Sequence, residues 1–75
     1  MNVADFVIHV KVELPPDERK CLSDELRDRN GVMSACFSQQ HPHLLNIVYD
    51  PDTVSSDILL DQVRGHGLEA SKMGL

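Results

Sequence analysis

Tryptophan is absent from this 75-residue sequence, and its only aromatic residues are Phe6, Phe37 and Tyr49. No apolar stretch approaches the ~20 residues that a membrane-spanning helix needs, which argues against insertion into a membrane. Residues 1–5 contain no basic segment and no long apolar segment, so we expect no secretory signal there. These absences together predict a cytoplasmic protein with a thin core.

Positive charge is also scarce, since seven Lys and Arg stand against twelve Asp and Glu and the net charge is −5. Binding to nucleic acid requires a basic face that displaces counterions from phosphates, so this balance argues against a nucleic-acid partner. It argues equally against binding to an anionic membrane surface. The two cysteines, Cys21 and Cys36, are expected to be reduced thiols in the cytoplasm.

The length predicts a single domain spanning residues 1–75. A chain of this size buries roughly 60% of its surface on folding, which leaves no room for both a core and a deep active site. The sequence contains no Ser-His-Asp order, no Gly-rich phosphate loop and no Glu-x-x-His helix. We therefore expect a shallow binding surface and not an enzyme.

The first strand and helix are indicated by periodicity and by two prolines. Residues 6–13 are rich in β-branched side chains and alternate apolar with polar from Ile8, which predicts a strand. Its expected inward residues are Phe6, Ile8, Val10 and Val12. Pro15 and Pro16 end the strand because proline cannot donate to a ladder, and Pro16 can open a helix. That helix is predicted to run to about Arg29, with an apolar stripe of Cys21, Leu22 and Leu26.

Three further strands and a second helix complete the pattern. Strands are predicted at 32–38, 44–49 and 68–73, with a polar hairpin loop at 39–43. Ser55 or Ser56 is expected to cap the second helix, which Gly65-His66-Gly67 ends. The resulting βαββαβ order predicts an α+β sandwich, in which an antiparallel four-stranded sheet carries both helices on one face.

The glycine and apolar frame carries a family resemblance. Gly31-Val32, the run from Val48 to Ser55 and the run from Leu59 to Ala70 resemble the heavy-metal-associated domains of copper chaperones and copper ATPases. The resemblance covers nearly the whole chain. It implies the ferredoxin-like fold and a family role in moving soft metal ions between protein partners.

That family places Met-x-Cys-x-x-Cys at the end of the first strand and the start of the first helix. Counting back from Gly31, we place this stretch at 13–18, where Pro15 and Glu18 stand at the two cysteine positions. Two thiolates at that spacing provide soft, nearly linear Cu(I) ligation, whereas proline has no ligand atom and glutamate is a hard ligand. The family's metal residues therefore do not transfer to this chain. Leu68 stands where the family often has an aromatic residue.

Other residues offer ligands for a Cu, Zn or Ni ion. His41 and His43 flank a proline in the hairpin loop and are the most specific candidate pair of metal ligands. The alternative is a polar loop in which water solvates both rings. We expect this loop to lie at the end of the sheet remote from the loop after the first strand. Cys36 is expected on the open sheet face as a candidate redox-sensitive thiol, with His9 two strand spacings, ~10 Å, away. Cys21 is expected to pack as a small buried hydrophobe.

The leading hypothesis is an adaptor that docks on a protein partner or forms a homodimer. Its predicted contact residues are Leu14, Pro15, Pro16, Asp17, Glu18, His66 and Leu68. His66 also suits the negative end of its helix dipole as a cap. An apolar patch of Val7, Leu44 and Val48 on the open sheet face is a second candidate interface. The alternatives are a divergent metallochaperone with His or Cys ligands elsewhere, and a small-ligand regulatory dimer.

Overall fold

The computed structural model describes residues 2–73, and its elements follow the predicted βαββαβ order. These elements are β1 (Ala4–Val10), α1 (Pro16–Asp28), β2 (Val32–Phe37), β3 (Leu44–Tyr49), α2 (Ser56–Arg64) and β4 (Ala70–Lys72). All strand pairs are antiparallel and the strand order is β2-β3-β1-β4. This is the ferredoxin-like arrangement that the sequence predicts.

The core lies between one face of the sheet and the apolar stripes of both helices. Alternate strand residues supply the sheet side of the core: Ile8, Val10, Ala35, Leu45, Ile47 and Tyr49. The helices and the loop before α2 supply the other side: Leu22, Leu26, Val54, Leu59, Leu60 and Val63. Because side chains alternate along a strand, the opposite sheet face is left without a helix. Val7, Leu44 and Val48 lie on that open face and are half-buried.

The first strand is shorter than predicted. β1 ends at Val10, and the side chain of Val12 is 52% exposed, so its predicted inward orientation is wrong. The last β1 residue paired with β4 is Val10, opposite Ala70. One residue later Lys11 N still donates to Glu69 O at 2.9 Å. Val12 lies beyond this contact and outside the ladder, so alternation alone overestimates the length of the strand.

Local signals at the helix ends behave as expected. Pro16 occupies the first turn of α1, where a missing N–H costs nothing, and Asp17 and Glu18 follow it. Of the two candidate caps for α2, the structure selects Ser55, whose hydroxyl accepts a hydrogen bond from Ile58 N at 3.2 Å. The two prolines therefore fix the start of α1 at Pro16, directly after the β1–α1 loop.

Three loops meet at one end of the sheet, which we call the loop end and define by segments 11–15, 38–43 and 65–69. Val10 N donates to His43 O at 2.8 Å, so the hairpin loop lies opposite the last residue of β1. Ala70 pairs with Val10 from the other side and brings the α2–β4 loop to the same place. The hairpin loop is thus adjacent to the β1–α1 loop, and the expectation that it lies at the remote end is wrong.

Gly31 joins α1 to β2 at a position that other residues cannot occupy without strain. Its φ is +97°, and a Cβ there would lie 2.9 Å from Val54 Cγ1 and from Thr53 Cβ. Its carbonyl also accepts a hydrogen bond from Asp50 N at 2.7 Å. Gly31 therefore permits the close approach of the β3–α2 turn to the end of α1.

The variants Gly31→Ala and Gly67→Ala separate backbone strain from steric contact. Gly67 also has positive φ, +79°, but a Cβ there meets no atom within 4 Å. We expect Gly67→Ala to lower the free energy of unfolding by about 1 kcal/mol. Gly31→Ala should lower it by roughly 2–4 kcal/mol, since overpacking adds to the strain. Urea unfolding measures both changes, and equal losses would show that the Thr53 and Val54 contacts are inconsequential.

Candidate functional site

A shallow pocket at the loop end gathers residues from separate segments of the chain. Its volume is about 210 Å³, and its lining residues are Leu14, Glu18, Cys21, Leu22, His66 and Leu68. The β1–α1 loop supplies one of them, α1 three and the α2–β4 loop two. Four of the predicted partner-contact residues lie here together. We call this feature the loop-end pocket.

The chemistry of the pocket is divided between floor and rim. Leu14 and Leu68 are half-buried and pack against the core, and Leu22 is buried within it. His66 and Glu18 are exposed at the rim. The imidazole of His66 donates from Nε2 to Glu25 Oε2 at 2.5 Å, which links the α2–β4 loop to α1. The pocket therefore has an apolar floor with polar and ionisable groups around it.

Cys21 lies in this pocket and not in the core. Its side chain is exposed, so the expectation that it packs as a buried hydrophobe is wrong. The buried residues of α1 are Leu22, Ser23 and Leu26, which places the centre of the buried stripe beyond Cys21. Successive helix residues are about 100° apart around the axis, so a residue adjacent to the stripe in sequence can face solvent.

Acidic residues surround the β1–α1 loop, and one of them, Glu18, lines the pocket. Glu13, Asp17 and Glu18 are exposed around the β1–α1 loop. Within residues 2–73 none of these three carboxylates takes part in a salt bridge. Pro15, at the N-cap of α1, makes no side-chain capping bond and has φ −57° and ψ 154°. The β1–α1 loop and the start of α1 therefore form a stiff turn whose carboxylates have no salt-bridge partner within residues 2–73.

The hairpin histidines lie next to the pocket but do not act as a pair. The ring of His43 stacks on His9 with centroids 5.8 Å apart, and His43 Nδ1 donates to Val10 O at 2.9 Å. His41 is exposed, and its backbone N–H donates to Ser38 Oγ at 3.2 Å. The His9–His43 stack was not predicted from the sequence. The stack depends on the β1–β3 register, which places His43 opposite Val10.

Cys36 lies far from this arrangement in the sheet. It is exposed on β2 and pairs with Asn46 of β3, which pairs in turn with Val7 of β1. As predicted, β3 separates Cys36 from His9. Across residues 2–73, no group of three or more His, Cys, Asp or Glu side chains is arranged to hold a metal ion. The assignment of His41, His43, Cys36 and Cys21 as metal ligands therefore stays a prediction.

Several solved structures superpose on this chain over more than 90% of its length. The copper binding domain from HMA7, a P-type ATPase, superposes with a TM-score of 0.81 at 18% identity, over 93% of each chain. The CopZ metallochaperone matches with 0.79 at 16% identity, over 91% of this chain and all of that one. Oxidized MerP from Ralstonia metallidurans CH34 matches with 0.83 at 11% identity, over 97% and 100%.

The chain has the heavy-metal-associated fold. At these identities the likeness concerns the fold alone, and the resemblance noted from the sequence is confirmed at that level. No protein-family model matches the sequence, and no curated protein is similar to it. Within residues 2–73, neither helix has the length and apolar character needed to cross a membrane.

The exposure of both thiols is directly testable. We expect Cys21 and Cys36 to react with Ellman's reagent in the native protein, without denaturant, because both side chains are exposed. The variants Cys21→Ser and Cys36→Ser assign each rate to its thiol. If Cys21 reacted only after unfolding, its placement in the loop-end pocket would be wrong.

Proposed function

We propose that the protein is a non-enzymatic docking domain that contacts a partner protein through the loop-end pocket and holds no Cu(I) there by a thiolate pair. The observation that carries this proposal is the pocket itself, an apolar floor with Glu18 and His66 at its rim, next to the turn where Pro15 and Glu18 replace the two cysteines of the resembled family. A cytoplasmic location, in which both thiols stay reduced, is part of the same proposal.

The positions of the thiols support the absence of a Cu(I) site of that kind. Cu(I) favours two soft thiolate ligands in nearly linear geometry. Cys21 lines the loop-end pocket on α1, whereas Cys36 lies on β2 and lines a different groove. One thiol next to the hard carboxylate of Glu18 is a poor substitute for the pair.

The size and charge of the pocket favour a protein partner. A small-molecule site is commonly 300–1,000 Å³ in volume and largely encloses its ligand. The loop-end pocket holds about 210 Å³, enough for one or two side chains. Glu18 at the rim, with exposed Glu13 and Asp17 close to it in sequence, complements a partner that presents an apolar side chain surrounded by Lys or Arg. The small volume of the pocket also disfavours the small-ligand regulatory dimer.

A divergent metallochaperone is the second candidate. Cys21, His66 and Glu18 line one pocket, although within residues 2–73 they are not arranged to hold an ion as they stand. In that case Cys21 would be the single soft ligand, and His66 would have to leave Glu25 to reach an ion. Metal titration of the pocket separates this function from docking without metal.

Competition against bicinchoninate under reducing conditions measures Cu(I) binding. We expect the native protein to form no stoichiometric Cu(I) complex of sub-micromolar affinity. The double variant Pro15→Cys with Glu18→Cys should gain such a complex, because it restores the family spacing on the same loop. Tight Cu(I) binding by the native protein that is lost in Cys21→Ser would support a metallochaperone and contradict docking without metal.

Photo-cross-linking in cells that naturally contain the protein tests the docking surface. A photoreactive residue at Asp17 should yield an adduct of discrete mass, and one at exposed Ile58 on α2 should not. Adding Glu18→Lys to the first protein should reduce that adduct severalfold, since the charge complementarity is reversed. An adduct that forms equally from both positions, or that is indifferent to Glu18→Lys, would contradict a specific surface here.

A further inference from the structure

The free edge of β2 has backbone groups without partners. β2 is an outermost strand of the sheet, and Ser38 N donates to Leu44 O at 2.9 Å. In an antiparallel pair the residues that bond to the neighbour alternate with residues that point away from it. The backbone N–H of Ser38 points towards β3. By this alternation, the backbone N–H and C=O groups of Phe37 and Ala35 point away from β3, towards the free edge. Within residues 2–73, no other backbone group bonds to them.

The later half of β2 lacks the features that commonly protect an exposed edge. Proteins commonly guard an exposed edge with charged side chains, proline or a bulge. The strand Val32–Phe37 carries no charged residue and no proline. A register irregularity lies between Val32 and Ser34, at the start of the strand. The later half, from Ala35 onwards, is regular and open to a further strand.

A groove runs between this edge and α1. It has a volume of about 350 Å³ and is lined by Pro16, Arg19, Lys20 and Ser23 on α1 and by Cys36, Phe37, Ser38 and Gln39 at the end of β2. The four α1 residues are spaced so that they lie on one side of the helix. An added strand at the β2 edge would therefore place every second side chain against the wall formed by α1.

That wall carries available positive charge. Arg19 is half-buried, and its guanidinium has no hydrogen bond or salt bridge among the described residues 2–73. Lys20 Nζ lies 3.1 Å from Asp24, and its hydrogen bond lowers the pKa of that carboxyl below the ordinary value. Arg27 also pairs with Asp24. Lys20 and Arg27 thus share one carboxylate on α1, and Arg19 is left unpaired.

We propose that the free edge of β2 binds an extended acidic peptide segment of another protein as an added strand, with carboxylate side chains paired to Arg19. Backbone bonds to Ala35 and Phe37 hold the strand, and the α1 wall selects its charge. A second copy of this chain fits less well. Its β2 has no acidic residue to meet Arg19, and a two-fold arrangement would bring two cationic α1 walls together.

The probe is an acetylated and amidated peptide of four valine–glutamate repeats, with a valine–lysine peptide of equal length as the charge control. The glutamate peptide should slow the alkylation of Cys36 by iodoacetamide severalfold and leave Cys21 unchanged, since an added strand would lie directly beside Cys36 on β2, whereas Cys21 lies in the loop-end pocket on α1. The lysine peptide should protect neither thiol. Full N-methylation of the glutamate peptide should abolish protection, because it then has no backbone donor.

Charge variants test the selection by α1. We expect Arg19→Gln to lower the affinity for the glutamate peptide about fivefold. Lys11→Gln should leave the affinity unchanged, because the side chain of Lys11 lies away from the groove. Arg19→Glu should bind the lysine peptide in preference. Protection that is absent, survives N-methylation or is unaffected by Arg19→Glu would overturn the proposal. Protection of Cys36 by rising protein concentration alone, with a doubled mass by light scattering, would assign the edge to a second copy.

Discussion

The antiparallel pairing of β1 with β3 is the constraint on which the rest of the molecule depends. Ile8 and Leu45 stand opposite each other in this pair and are fully buried, as is Ile47 one row away. A shift of one residue would turn all of these side chains to the open face, so the buried face holds the register. The same register sets His43 beside Val10 and thereby brings the hairpin loop to the end of β1.

The loop-end pocket follows from that geometry and could not arise from any one segment. Leu14, Cys21 and Leu68 come from a loop, a helix and another loop, and they meet because β1 ends where β4 begins. His66 adds a cross-link to Glu25 on α1. Leu14 and Leu68 give this depression its apolar floor. Pro15, Pro16, Asp17 and Glu18 surround the start of α1, and none of them carries a soft ligand atom.

Charge is distributed unevenly over a protein whose net charge is −5. The first turn of α1 presents Asp17 and Glu18 towards the loop end, where they also favour the positive end of the helix dipole. The next two residues, Arg19 and Lys20, lie on another side of the same helix and belong to the wall of the β2 groove. A single short helix therefore gives the molecule two surfaces of opposite character, each with one exposed cysteine beside it.

The sequence by itself determined the order and type of all six elements, because alternation, prolines, glycines and a serine cap are local signals. Pro16 began α1 and Ser55 capped α2, both as expected. Only the tertiary structure decided that Cys21 faces solvent, that Val12 lies outside the sheet and that His43 stacks on His9. These features depend on helix rotation, strand ends and register, which are set by contacts between residues distant in sequence.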